Sequence, residues 1–179
     1  MNKFQLRKKI SKIRSKFARK KIKVNSESII KLIERKSPNK RVGLYYPFGD
    51  ELSTLELMNR LIRKKFIISL PIINKSEMSF YSWSPNEPLT INRFGILEPF
   101  KGKKITPSTL IIPMLAFDSN LNRLGYGGGF YDRFIQKIEK QNKCVKIGLA
   151  LSCQKINKVP VDKYDKKMDF IITEKRIYK

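Results

Sequence analysis

A chain of 179 residues, 41% hydrophobic and 30% charged, is long enough to bury a real core and too apolar to be disordered. It has no histidine and only two cysteines, Cys144 and Cys153, which excludes histidine-based triads, a disulfide framework and the common zinc sites. The net charge of +24 invites a nucleic-acid reading, but lysine and arginine run along the whole chain rather than in one stripe interleaved with aromatics, so the charge reads as general surface.

In chain order, Phe4, Leu6, Ile10, Ile13 and Phe17 fall near helical spacing among Lys, Arg and Ser, and predict an amphipathic helix over residues 3–22. Asn25 or Ser26 caps a second helix, with Glu27 in its first turn and Ile29, Ile30, Leu32 and Ile33 inside. Residues 37–39 end it. Residues 41–46 read as a buried strand, 47–50 as a loop and 51–64 as a helix. Residues 66–70 form a strand that stops at Pro71, and the alternating stretch 78–83 forms another. Residues 84–108, rich in Pro, Asn, Gly and Lys, read as a long loop with short extended pieces. A buried strand at 109–112 ends at Pro113, a helix covers 129–140, and strands cover 145–151 and 170–172. Phe80 and Trp83 read as core or pocket wall, and the two cysteines as small buried hydrophobes.

Strands alternating with helices predict one α/β domain over residues 1–179. The expected architecture is a three-layer α/β/α arrangement with a mostly parallel (mixed) central sheet and N-terminal helices. In such folds ligands sit beyond the C-terminal ends of the strands, where the loops 47–50 and 117–130 fall. No apolar run spans a bilayer, and the lysine-rich start lacks the apolar core of a signal peptide. A reducing cytoplasm is the expected location.

The densest chemistry lies at 113–133. Asp118, Ser119 and Asn120 make a turn. Arg123 follows, and then Gly125, Gly127, Gly128 and Gly129, four of the nine glycines within five residues. Glycine permits positive φ and close approach of a ligand to the backbone. The run opens a helix, so its N–H groups and the helix dipole form a cradle suited to phosphate. Arg123 can add a bidentate cationic contact. Asp132 suits the dipole, and can equally hold a magnesium ion riding on phosphates. The segment is no Walker A loop, because no Gly-Lys-Ser/Thr follows. Phe130 stands where the dinucleotide fingerprint needs its third glycine.

The run Arg123-Leu124-Gly125-Tyr126-Gly127-Gly128-Gly129-Phe130-Tyr131-Asp132 resembles the signature of the 5-formyltetrahydrofolate cyclo-ligase (methenyltetrahydrofolate synthetase) family. Further blocks carry the resemblance at 3–7, 46–54, 94–99, 112–118, 159–165 and 169–174. It implies closure of 5-formyltetrahydrofolate to 5,10-methenyltetrahydrofolate, with ATP and magnesium consumed through phosphorylation of the formyl oxygen and ADP and phosphate released. It implies an ATP site of Lys3, Phe4, Gln5, Leu6 and Arg7 together with Arg123 through Tyr131, and a folate site of Tyr46, Glu51, Tyr126, Gly127, Gly128, Gly129 and Phe130. It implies magnesium ligands Asp132 and Asp165, with Arg123 and Tyr126 nearest the chemistry. Phe130 departs from the family's usual Tyr and removes a hydroxyl.

Lys3 and Arg7 also fit one solvated helix face, Glu51 an early-turn acid and Asp165 a turn former with Asp162 and Asp169 as rivals. Tyr46 also fits a core aromatic. The expected partner is a small folate, with or without a polyglutamate tail. No specific nucleic acid, membrane or second subunit is expected, so the chain reads as a monomer. The alternatives are another ATP-using α/β enzyme with the same loop, a basic nucleic-acid-binding module and a family member without catalysis.

Overall fold

The computed structural model describes residues 2–18, 22, 24–37 and 39–179. Its elements in order are α1 (Lys3–Ala18), α2 (Ser26–Lys36), β1 (Arg41–Gly43), α3 (Leu55–Arg63), β2 (Ile67–Asn74), β3 (Glu77–Ser82), β4 (Leu89–Ile91), β5 (Leu97–Pro99), β6 (Lys104–Ile105), β7 (Thr109–Pro113), β8 (Ala116–Phe117), β9 (Arg123–Leu124), α4 (Phe130–Glu139), β10 (Val145–Leu149), β11 (Phe170–Ile172) and β12 (Ile177–Tyr178). Eight strands form one sheet in the order β12-β11-β10-β7-β1-β2-β3-β6. The central run from β11 to β2 is parallel, and β12, β3 and β6 are antiparallel at the edges.

Alternation along β7 sets the layers. Ile111 packs with Ile29, Ile30 and Ile33 of α2 and with Leu57, Met58 and Leu61 of α3. Its neighbours Leu110 and Ile112 pack on the opposite face with Phe134, Ile135 and Ile138 of α4. The expected three layers are therefore present. Asn25 caps α2, its side chain accepting from the backbone N–H groups of Glu27 and Ser28. Helix α1 lies off the sheet. Leu6 and Ile10 pack against Ala116, Leu124 and Val159, which seats the helix on the β8–β9 hairpin. Among the described residues no helix is long and apolar enough to cross a membrane.

Several expected boundaries move, each for a local reason. Of the 3–22 helix, residues 19–21 lie outside the described residues and Ile22 is not helical. Residue 38 of the 37–39 stop also lies outside them. Strand β1 ends at Gly43, not at residue 46. The 51–64 helix begins only at Leu55. Side chains hold residues 51–54 against the end of β1 instead: Thr54 Oγ1 donates to the Tyr45 carbonyl at 2.7 Å, and Tyr45 OH donates to the Leu52 carbonyl at 2.8 Å.

Pro71 does not end its strand, because β2 continues to Asn74. Backbone groups alternate sides along a strand. The Ser69 carbonyl bonds Leu44 and the Ile73 N–H bonds Glu98, both on the side away from β3, so Pro71 shares that side and costs the β2–β3 ladder no bond. The 84–108 segment holds the β4–β5 hairpin and the edge strand β6. Arg123 and Leu124 lie on a strand rather than in a loop. Trp83 is buried and meets Tyr46 edge to face with ring centroids 6.2 Å apart, and Phe80 is sealed beneath Phe134. Cys144 is buried, which pushes its thiol up to about 12, and Cys153 is half-buried.

Candidate functional site

Beyond the C-terminal ends of β1 and β7, a cavity of about 510 Å³ opens between the sheet, α1 and the glycine loop. It is lined by Lys3, Arg7, Tyr46, Glu51, Arg123, residues 124–131, Asp132, Asp162 and Asp165. Of the N-terminal strip, Lys3 and Arg7 reach it. Phe4 and Gln5 point to solvent, and Leu6 is buried in the hairpin core. Asp169 lies elsewhere, accepting from the Lys146 backbone N–H at 2.7 Å.

The glycine loop takes the shape its composition requires. Gly127 has φ 107° and Gly129 φ 64°, and Gly129 is the residue at the mouth of α4. A side chain at Gly127 would also meet the Arg7 guanidinium carbon at 3.4 Å. Arg7 Nε donates to the Gly125 carbonyl at 2.9 Å, so α1 grips the loop.

One end of the cavity is a cluster of cations on carboxylates. Lys3 Nζ lies 2.7 Å from Asp162 Oδ2 and 2.6 Å from Asp165 Oδ2. Burial works against the Lys3 charge, but the hydrogen bonds and charges of the two aspartates outweigh it and raise its ammonium above the usual value. Arg123 Nη2 lies 2.8 Å from Asp132 Oδ1, which also accepts from the Lys166 backbone N–H at 3.0 Å. Arg123 Nε and the Tyr131 hydroxyl are buried without a hydrogen-bond partner. Among the described residues no trio of acids, cysteines or histidines forms a closed metal cage. Magnesium does not need one, since it keeps waters and takes one or two carboxylates plus phosphate oxygens. Asp132 and Asp165 on one cavity wall fit that demand.

The other end is built around Glu51. Its Oε2 accepts from the Phe48 backbone N–H at 3.0 Å. Burial raises its carboxyl, opposed by a hydrogen bond from Tyr126, by the Phe48 N–H and by the charge of Arg14. Arg14 Nη1 donates to Tyr126 OH at 2.6 Å. Burial holds the phenols of Tyr126 and Tyr131 well above their ordinary value, with the Glu51 charge adding to it. Sequence reading did not single out Arg14. Phe94 and Tyr45 also line the cavity without having been expected there, and Phe48 lines it from the 47–50 loop that was placed at this end. The usable signal for Arg14 was its spacing of seven from Arg7 along one helical face.

The family model described as 5-formyltetrahydrofolate cyclo-ligase matches residues 1–174. The 5-formyltetrahydrofolate cyclo-ligase of Haemophilus influenzae is 34% identical over 174 residues, covering 90% of this chain and 91% of its own. That of Escherichia coli K12 is 32% identical over 145 residues, covering 76% and 79%. The solved structure of the Aquifex aeolicus 5,10-methenyltetrahydrofolate synthetase superposes with a TM-score of 0.79 at 32% identity, covering 99% of this chain and 92% of that one. A synthetase of the same name from Mycoplasma pneumoniae, 23% identical with a TM-score of 0.73 over 97% and 99% of the chains, shares the fold. With sequence match and fold agreeing over nearly its whole length, the chain belongs to the 5-formyltetrahydrofolate cyclo-ligase family.

Proposed function

We propose that residues 1–179 act as one cytoplasmic, monomeric enzyme that closes 5-formyltetrahydrofolate to 5,10-methenyltetrahydrofolate, converting ATP to ADP and phosphate with magnesium. One observation carries the reading. A single cavity holds a half-buried carboxylate, Glu51, and a cation–carboxylate cluster, Lys3, Arg123, Asp132 and Asp165, linked by the glycine loop.

The chemistry needs both ends. A formyl oxygen is a poor leaving group until it is phosphorylated. Its attack on the terminal phosphorus of ATP expels ADP. The neighbouring folate amine then bonds to the formyl carbon and loses its proton, and the oxygen leaves as phosphate. Phosphoryl transfer of this kind depends on positioning and charge neutralisation, so the lack of histidine is no handicap. The loop N–H groups and Arg123 cradle phosphate oxygens, with Lys3 and Arg7 adding positive charge. Glu51 accepts N–H bonds from the pterin ring. Tyr46 and Phe130 wall the folate, and Tyr126 lies at the junction between the two ligands. Magnesium bound at Asp132 and Asp165 would neutralise the phosphate charge as it shifts between oxygens.

The test mixes purified protein with ATP, magnesium and 5-formyltetrahydrofolate and follows the methenyl chromophore. Product that requires all three supports the reading. Its absence, together with salt-sensitive binding to RNA, would establish the basic-module alternative.

A further inference from the structure

Arg14 is the odd cation of α1. Lys8, Lys9, Lys12 and Lys16 are exposed, whereas Arg14 is 7% exposed. Tyr126 is its only hydrogen-bond partner among the described residues, and its Nε is buried with none. A buried guanidinium without a paired carboxylate is costly, and an apolar side chain of the same size would fold more cheaply there. The next residue, Ser15, donates to Asp50, which precedes Glu51. One turn of α1 therefore holds both the loop that carries Tyr126 and the loop that carries Glu51.

The direction of these bonds matters. A guanidinium only donates, and a phenol has a single proton. Because Tyr126 accepts from Arg14, that proton is free to point into the cavity that Tyr126 lines together with the carboxylate of Glu51. We propose that Arg14 is a positioning residue for the folate end of the cavity, orienting the Tyr126 hydroxyl toward Glu51 and fixing the separation of the two walls between which the folate ring enters. This rests on the folate reading given above. Arg14 acts through Tyr126 and does not touch the reacting atoms.

The experiment compares wild type with Arg14→Met, Arg14→Lys, Tyr126→Phe and the Arg14→Met/Tyr126→Phe pair. Arg14→Met should raise the KM for 5-formyltetrahydrofolate about tenfold and leave the KM for ATP within about twofold, the cost of one oriented charge-assisted bond. Its melting temperature should be unchanged or higher, which a purely structural role would not allow. Arg14→Lys, which can still donate, should recover part of the folate affinity. The pair should bind folate no more than about twofold worse than Tyr126→Phe alone, because both changes break one linkage. An active wild type whose Arg14→Met variant keeps its folate KM overturns this proposal alone. So does a lowered melting temperature with equal losses for ATP and folate. A folded wild type that makes no methenyl product overturns the folate reading and this proposal with it.

Discussion

At the Lys3 end of the cavity the three carboxylates of Asp132, Asp162 and Asp165 each carry a cation within 2.8 Å. At the Glu51 end the carboxylate carries none, and is held by a backbone N–H and a phenol with Arg14 one step removed. The first arrangement is exchangeable. A metal ion can take over the aspartates, and the freed ammonium and guanidinium can turn to phosphate oxygens without any charge being left alone. The second arrangement is fixed. Its hydrogen bonds set where the carboxylate points, which on the proposed function pre-orients it for the rigid folate ring. On the proposed function one end swaps partners and the other keeps its shape, and substitutions should tell them apart.

The largest effect is expected at Arg123, the hinge of the exchangeable end. Arg123→Ala leaves Asp132 without its cation in a partly buried site, at a cost of about 3 kcal/mol in denaturant unfolding. It should also lower kcat/KM for methenyl formation at least about hundredfold, since the phosphate loses a pre-placed donor. Asp132→Asn comes next. It should weaken use of magnesium-ATP roughly thirtyfold or more while folate affinity stays within about threefold, read by separate titrations of the two ligands. Equal loss of both would erase the distinction between the ends.

What the sequence could show of this tracks how local the cause was. The buried run of β7 and the Asn25 cap of α2 depend on neighbours in the chain, and both were legible. So was the glycine loop, because Gly127 and Gly129 need positive φ whatever surrounds them. The start of α3 was not, since Thr54 and Tyr45 bond across nine residues to a strand end. Pro71 misled because only the pairing pattern reveals which side of β2 lacks a bond. Lys3 and Asp165 were picked out one by one, but their ion pair joins residues 162 positions apart. Arg14 looks like any other cation in a helix full of them until burial sets it apart.

Glu51→Gln tests the fixed end with a smaller total effect. Folate affinity should fall about tenfold with nucleotide affinity unchanged, measured at equilibrium. Stability should move the other way. Burial raises the Glu51 carboxyl in the folded state, so the native protein binds that proton more tightly than the unfolded chain does. Its ionisation therefore removes stability as pH rises from the ordinary carboxylate value through the raised one, and the loss persists at neutral pH. Gln carries no such cost, so the variant should melt about 2–4 °C higher at pH 7.5, a gain of about 1 kcal/mol. It should lose this advantage below the carboxylate range. A variant that melts lower at neutral pH would mean that Glu51 is held by more than a backbone N–H and a phenol.

The smallest effect on stability should come from Lys3, and its value lies in what it does to the metal. Its raised ammonium contributes stability below the ordinary lysine value and loses it only as pH climbs past that range, so at pH 7 the contribution is fully present. The aspartates are 71% and 28% exposed, however, and water screens the pair. Lys3→Met should therefore cost less than about 1 kcal/mol. The same change strips the cation from Asp162 and Asp165, so magnesium without nucleotide should bind several-fold more tightly, as titration calorimetry would show. The KM for ATP should rise several-fold, because the charge that turns to the phosphates is gone. Tighter metal with weaker nucleotide is the signature of a cation that trades places. If Lys3→Met leaves magnesium affinity where it was, the ammonium is a fixed support, and the two ends of the cavity work in the same way.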